Sequence, residues 1–513
     1  MKPFIFSILG VFLFMTVSCE KREEPVDEEV QPVVDLTVDC RTPQELGGYQ
    51  YFFRPQHTWV GDPMPYFENG IYHVFYLDDE RPPSDQFHPW HLVQTADASS
   101  YVYRGEAIPC GESYEQDIAI GTGSVIKKDQ QYFGFYTGHK WNHSAGTPKE
   151  AVMLATSNNL LDWEKVPSFM LFADSGYDQN EFRDPFVVYD EARSLYIMLV
   201  STRLNQRAVL AQYTSTDLYN WNLEDPFYED ESVFMIECVD LFEMDGQWYF
   251  IYSNINDRKV HYRMSDSLYG PWETPAVSAL DGVAYYAAKS ASDGHERLLF
   301  GWCPTRIDDK DPNNYNWGGS LVAHAISANA ETGFLEVSLP KGLSTTFSKQ
   351  TALGIIEQGA GATKSGNNYE LDASAERQEV RFSRMLHPHK ISTTVHVDSE
   401  AKNFGFVFGA CDELEHVYAL HLDLNEGLLK LALLSDWNSP TTSYEVQNAV
   451  PLSIAEDGEY NIEIVIERSV AVIYVNGQTA MTNRIYKMHQ NPWMIFSDTG
   501  KVVFSDLVVK VAD

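Results

Sequence analysis

The sequence predicts an all-β chain, a five-bladed β-propeller followed by a C-terminal β-sandwich. Three observations predict it. After the first eighteen residues no long 3.6-residue apolar period appears, and short Val, Ile, Phe and Tyr runs broken by Gly, Asn and Asp dominate. One pattern of polar or acidic start, hydrophobic strand, tight turn and aromatic strand recurs five times. Its copies begin at Asp62, Gly123, Asp184, Asp240 and Tyr286, spaced 61, 61, 56 and 46 residues apart. A second pattern, Ser or Thr, then Leu or Tyr, then an aromatic residue, interleaves with the first at Thr95, Thr156, Ser215 and Ser265, with a weaker copy at His324. Together they give four strands per unit, the content of a propeller blade.

The segments follow in order. Residues 1–18 carry one positive charge, Lys2, and an apolar run of about a dozen residues. That is shorter than the ~20 residues a membrane span needs, and it reads as a secretory signal. Ser18 before Cys19 predicts a bacterial lipoprotein cleavage site with Cys19 acylated. The expected location is therefore the outer membrane, on its periplasmic or cell-surface side. Residues 19–47, led by the charged stretch Glu20–Pro32, form an acidic tether. The propeller is expected over 48–350. A Gly-rich polar stretch at 354–367 marks a boundary, and the sandwich is assigned to 351–513. Strict alternation in Phe404–Gly409, Ile462–Glu467 and Ala471–Gly477, the last ending in an Asn-Gly hairpin signal, supports that assignment.

Composition narrows the partners. With 37 Lys and Arg against 73 Asp and Glu, the net charge is −36. Polyanions are repelled, which excludes nucleic acid and leaves membrane association only through a lipid at Cys19. A 13% aromatic content suits a neutral sugar. The six cysteines at 19, 40, 110, 238, 303 and 411 contain no C-x-x-C pair. A zinc site or dense disulfide framework is not expected, and at least one thiol should be free. No cofactor or metal is called for.

The first strand of each blade lines the central channel, so residues near the strand starts gather at one mouth. Asp62, Asp184 and Glu237 are acids in that position. Two carboxylates flanking a glycosidic bond are what glycoside hydrolysis needs, and crowding raises the pKa of one of them. Each acid alone also reads as a turn residue or a solvated side chain. Their recurrence at matching repeat positions favours chemistry. His88, His91, His139 and His143 flank aromatic segments and could reach the pocket mouth, reading as solvated or structural rather than as a metal site, while Trp141 and Trp163 read as packing residues.

Trp59-Val-Gly-Asp-Pro, Phe182-Arg-Asp-Pro and Glu237-Cys-Val-Asp-Leu-Phe, in this order, resemble the motifs of glycoside hydrolase family 32, the fructosidases. Gly121-Thr-Gly-Ser124, Tyr286-Ala-Ala, Gly301-Trp302, Trp317-Gly-Gly and the C-terminal segments Ile473–Gly477 and Arg484–Tyr486 are also similar to that family, so the resemblance covers nearly the whole chain after the signal. It implies Asp62 as nucleophile, Glu237 as acid and base, and Asp184, beside Arg183, as the residue holding fructose hydroxyls. It also implies that Asp240 orients the acid region, and that Trp59, Ser124, Trp302 and Trp317 bind substrate. Retention of configuration follows, with the two reacting carboxyls about 5–5.5 Å apart. The substrate would be a short fructooligosaccharide, a fructan or a sucrose-like sugar.

Some positions depart from the family pattern. Gly61 stands where the family has Asn, Met64-Pro65 replace Asn-Gly, and Ile236 replaces Trp. The Asp-Pro-Met-Pro form is similar to a bacterial branch associated with short fructooligosaccharides. Two other readings stand beside the first: an arabinan- or xylan-cleaving enzyme like those of family 43, and a non-catalytic surface glycan-binding lipoprotein.

Overall fold

Five antiparallel units follow one another between Trp59 and Ser338, and a two-sheet sandwich follows them. The computed structural model describes residues 48–81, 84–144, 146–385, 388–411, 414–439, 444–488 and 491–512. The expected signal 1–18, Cys19 and the tether 19–47 lie outside the described residues.

The innermost strands of the five blades are Trp59–Glu68, Ala119–Lys128, Tyr177–Asp190, Glu237–Met244 and Tyr286–Ser292. Each pairs with an aromatic second strand, as the first sequence pattern predicts. Aromatic rings wedge neighbouring blades together. Phe75 of blade one meets Trp163 of blade two edge-on at 5.5 Å, and Phe135 of blade two meets Trp221 of blade three at 5.6 Å. A single register pair, Val60 with Gly319, joins blade five to blade one.

The second sequence pattern is a turn signal with a hydrogen-bond cause. The hydroxyls of Thr95, Ser157 and Ser215 accept the backbone N–H of Ala98, Leu160 and Leu218 at 2.9, 3.0 and 2.9 Å. Those three acceptor-bonded residues are buried with φ of 62°, 65° and 70°. The hydroxyl fixes a tight turn, and the apolar residue plugs the base of the blade. Blade four departs from four strands. It has three, and the fourth is reduced to isolated bridges at Glu273 and Ala279. Pro271 and Pro275 lie in that segment and lack the N–H a ladder needs.

The sandwich stacks an eight-stranded sheet on a seven-stranded one around a core that includes Phe404, Phe406, Ile464, Ile473 and Phe504. The strand Phe347–Thr351, at the expected boundary, pairs with Gly500–Ala512 of the sandwich. One face of Val470–Val475 and Thr479–Arg484 closes on the propeller, where Val472, Tyr474 and Ala480 join the core of blades four and five. Buried polar groups fix the register of this contact. Asp281 accepts the hydroxyl of Thr482 at 2.6 Å and faces His324 at 3.0 Å. Arg484, fully buried, donates to the carbonyls of Pro304 and Cys303 at 2.9 and 3.0 Å. Cys110, Cys238 and Cys303 are free thiols.

Candidate active site

Each inner strand slips register by one residue, near its start in four blades and in mid-strand, between Arg183 and Phe186, in blade three. A β-bulge of this kind bends a strand and re-aims a side chain. Four of the five bulge residues, Asp62, Asp184, Cys238 and Ala287, have positive φ, at 30°, 58°, 54° and 55°. Following the pairing through the bulges divides the channel into three rings. The upper ring is Gly61, Gly121, Arg183, Glu237 and Tyr286. The middle ring is Asp62, Thr122, Asp184, Cys238 and Ala287. The lower ring is Met64, Ser124, Phe186, Asp240 and Lys289.

A cavity of about 470 Å³ opens above the middle ring, and Asp62, Asp184 and Glu237 all line it. Both oxygens of Asp62 are held: Thr122 Oγ1 donates to one at 2.6 Å and Trp302 Nε1 to the other at 3.0 Å. Burial pushes the Asp62 carboxyl up, these two bonds and Lys289 pull it down, and Glu237 adds to the rise. Asp184 accepts the N–H of Cys238 at 3.0 Å. Burial, with Glu237 and Asp62 as like-charged neighbours, outweighs Arg183 and pushes the Asp184 carboxyl up to about 7. Glu237 receives Arg183 Nη2 at 2.8 Å on one oxygen and the Tyr286 hydroxyl at 2.8 Å on the other.

Arg183 is itself anchored. It bonds Glu181, and it reaches Glu150 at 3.4 Å. Glu150, 3% exposed, also accepts the Phe182 N–H at 2.7 Å and faces His139 Nδ1 at 3.2 Å. His139, Glu150, Arg183, Glu237 and Tyr286 thus form one continuous network at the mouth. Trp317 lies over the cavity, stacked on His88 at 4.2 Å and 16°. A Cβ at Gly61 would sit 2.0 Å from the Trp317 ring. The glycine that breaks the family pattern makes room for that indole.

Of the sequence-predicted residues, Asp62, Asp184, Glu237, Arg183, Trp302 and Trp317 meet in this cavity. Three do not. Ser124 and Asp240 belong to the lower ring and line a separate cavity of about 280 Å³. Two residues along an inner strand, the chain has already descended past the bulge. Ser124 instead bonds Pro185 O and the Val187 N–H, both at 3.0 Å, clipping blade two to blade three. Asp240 accepts Ser290 N–H at 2.8 Å and clips blade four to blade five. Trp59 is covered by the Arg81 guanidinium at 4.4 Å and does not line the cavity. His88 and His139, two of the histidines expected to be able to reach the pocket mouth, line it. Burial pulls the pKa of His88 down to about 4, so the ring stacked on Trp317 is neutral.

Glu150 and Asn316 were not singled out from sequence, and Thr122 and Tyr286, though inside recognised motifs, were given no role at the site. Thr122 shares the ring of Asp62 and Asp184 but stands one residue before the repeat start at Gly123, so the 61-residue spacing passed over it. Glu150 starts a third strand, and no repeat points to it.

Acids from three blades closing one aromatic-walled pocket, backed by a sandwich, define a sugar-cleaving enzyme of the glycoside hydrolase class. Residues 52–329 match the Glycosyl hydrolases family 32 N-terminal domain, and residues 333–511 match the GH32, BT1760-like, C-terminal domain. The chain belongs to glycoside hydrolase family 32, and it is a glycosidase of the β-fructofuranosidase-like type. It is 22% identical over 501 residues to the levanbiose-producing levanase of Bacillus subtilis, covering 90% of each chain. It is 23% identical to the sucrose-6-phosphate hydrolase of Vibrio alginolyticus, over 86% of this chain and 87% of that one. Its fold is similar to fructan 1-exohydrolase IIa from Cichorium intybus in complex with 1-kestose, with TM-score 0.69, 16% identity, and coverage of 91% and 97%. The exo-inulinase of Aspergillus awamori gives TM-score 0.70 at 17% identity, covering 91% of this chain and 98% of that one. Membership of family 32 displaces the family 43 reading.

Proposed function

We propose that this enzyme releases fructose from short fructooligosaccharides, fructans or sucrose-like sugars with retention of configuration, through a covalent fructosyl intermediate on Asp62. The observation that carries the reading is the pairing of two differently held carboxylates in one cavity. Asp62 has both oxygens fixed by neutral donors, Thr122 and Trp302, which orients it as a nucleophile without neutralising it. Glu237 sits between a cation and a phenol, Arg183 and Tyr286. It protonates the leaving oxygen and then takes a proton from the incoming water. Asp184, buried beside Arg183, holds fructose hydroxyls and faces the charge that develops on the sugar ring. The named activities of the relatives, on levan, sucrose phosphate and fructan, support the fructose-containing class of substrate.

Asp62→Ala and Glu237→Ala should each reduce fructose release from 1-kestose, inulin or levan by at least about 10³-fold while leaving the melting transition in place. Turnover close to wild type in either variant sinks the assignment. Proton NMR of the first-formed product should show the retained anomer, and an inverted one removes the covalent step.

A further inference from the structure

We infer that the sandwich domain is a working part of the pocket: through Asp311 and Tyr486 it sets the loop that carries Trp317 over the acids. Which sugar the pocket then grips rests on the fructosidase reading above; the mechanical link does not.

The loop Ile307–Asn314 joins two strands of blade five, Arg297–Arg306 and Tyr315–Ala328. Its own bonds close its base and its turn, Ile307 N–H to Asn314 O at 2.9 Å and Asn313 Nδ2 to Ile307 O at 2.8 Å, and they do not reach the side chains of Asp309 and Asp311. Ile307 is 44% exposed, so burial does not anchor the loop. Asp308 and Asp309 are consecutive left-handed residues, with φ of 56° and 51°, a conformation aspartate tolerates singly but that is uncommon as a run.

The surroundings are the sandwich. The backbone N–H groups of Tyr486 and Lys487 donate to the two oxygens of Asp311 at 2.8 and 3.0 Å. The Tyr486 hydroxyl donates to Asp309 at 2.9 Å and accepts the Arg306 N–H at 3.0 Å. Carboxylate bonds of this kind are charge-assisted and among the stronger ones available.

The link continues to the pocket. Arg306 donates to Asn313 O and to the Tyr315 hydroxyl, each at 3.0 Å, and its guanidinium lies 4.2 Å from the Tyr315 ring. Tyr315, Asn316 and Trp317 then line the cavity in succession. Trp317 is 37% exposed, so its ring offers open aromatic surface for a sugar face. Asp311 and Tyr486 touch no reacting group and act as positioning residues.

The test uses the full chain and three variants, Asp311→Ala, Asp311→Asn and Tyr486→Phe. The asparagine keeps one acceptor oxygen, and the phenylalanine keeps the buried ring and drops only the hydroxyl, so these two remain informative if the alanine variant does not fold. Hydrogen exchange of the 307–317 peptide should speed up about tenfold in Asp311→Ala and less in the other two. KM for 1-kestose should rise about fivefold with kcat changed by less than twofold, the signature of lost uniform binding. Unchanged exchange at 307–317 in all three variants overturns the clamp, and faster exchange with unchanged KM overturns its role in the pocket. A wild-type enzyme that released no fructose would remove the fructosidase reading, while the exchange measurement would still decide the clamp.

Discussion

Replacing Asp184 with asparagine should stabilise the protein at neutral pH while removing its activity. The folded state lifts this carboxyl from the ordinary range to about 7, chiefly through burial. Between about pH 4 and 7 the folded state therefore binds more protons at this site than the unfolded chain does, and stability falls as pH rises through that window. At 1.36 kcal/mol per pKa unit the full penalty above pH 7 is about 4 kcal/mol, an upper bound because Asp62 and Glu237 relax when their neighbour loses its charge. Asparagine carries no charge and can still accept the Cys238 N–H. For a chain of this size about 1 kcal/mol corresponds to roughly 1 °C, so Asp184→Asn should melt about 2–4 °C above wild type at pH 7.5. The gap should close as pH is lowered to about 4.5, where Asp184 is protonated in the native wild type. Scanning calorimetry of both proteins at pH 4.5, 6.0 and 7.5 measures it. A gap that stays constant with pH, or a variant less stable than wild type at pH 7.5, would refute the reasoning.

The other expectations concern separate parts of the molecule. Gly61→Ala places a methyl group 2.0 Å from the Trp317 ring, which must move, so kcat/KM on 1-kestose should fall at least about tenfold; wild-type kinetics would show that the ring's position is immaterial. Asp281→Ala strips His324 and Thr482 of their buried partner and should cost about 3 kcal/mol by chemical denaturation, with an unchanged midpoint counting against the interface account. Cys19→Ala in the producing cell should abolish incorporation of labelled palmitate, and retention of label would place the lipid elsewhere.

The fold was legible because both repeats are physical devices. An aromatic second strand wedges one blade against the next, and a Ser or Thr hydroxyl closes the turn in the first three blades. The three acids were legible for the same reason, since Asp62 and Asp184 occupy one ring and Glu237 the ring above it. The errors follow from what a repeat does not encode. Ser124 and Asp240 carry promising side chains, but two residues along a strand is one layer down the channel. Glu150, His88 and His139 come from outer strands and a loop, where no repeat indicates which side chain turns inward. Trp59 stands three residues before Asp62, yet Arg81 covers a face of its ring. The role of Gly61 needed three dimensions, because Trp317 is 256 positions away in the chain.

The bulges make the propeller an interchangeable mount. Four of the five sockets share a left-handed backbone, and four of the five, at Asp62, Thr122, Asp184 and Cys238, open into one chamber. Asp62 and Asp184 suit their sockets doubly, because aspartate is among the few side chains that tolerate a left-handed backbone. Cys238 fills another with a small group at the chamber wall, while Ala287 is buried against Cys238 and Trp302. Engineering this enzyme toward a different sugar would therefore begin at the cysteine socket, which lines the chamber, with serine as the first replacement.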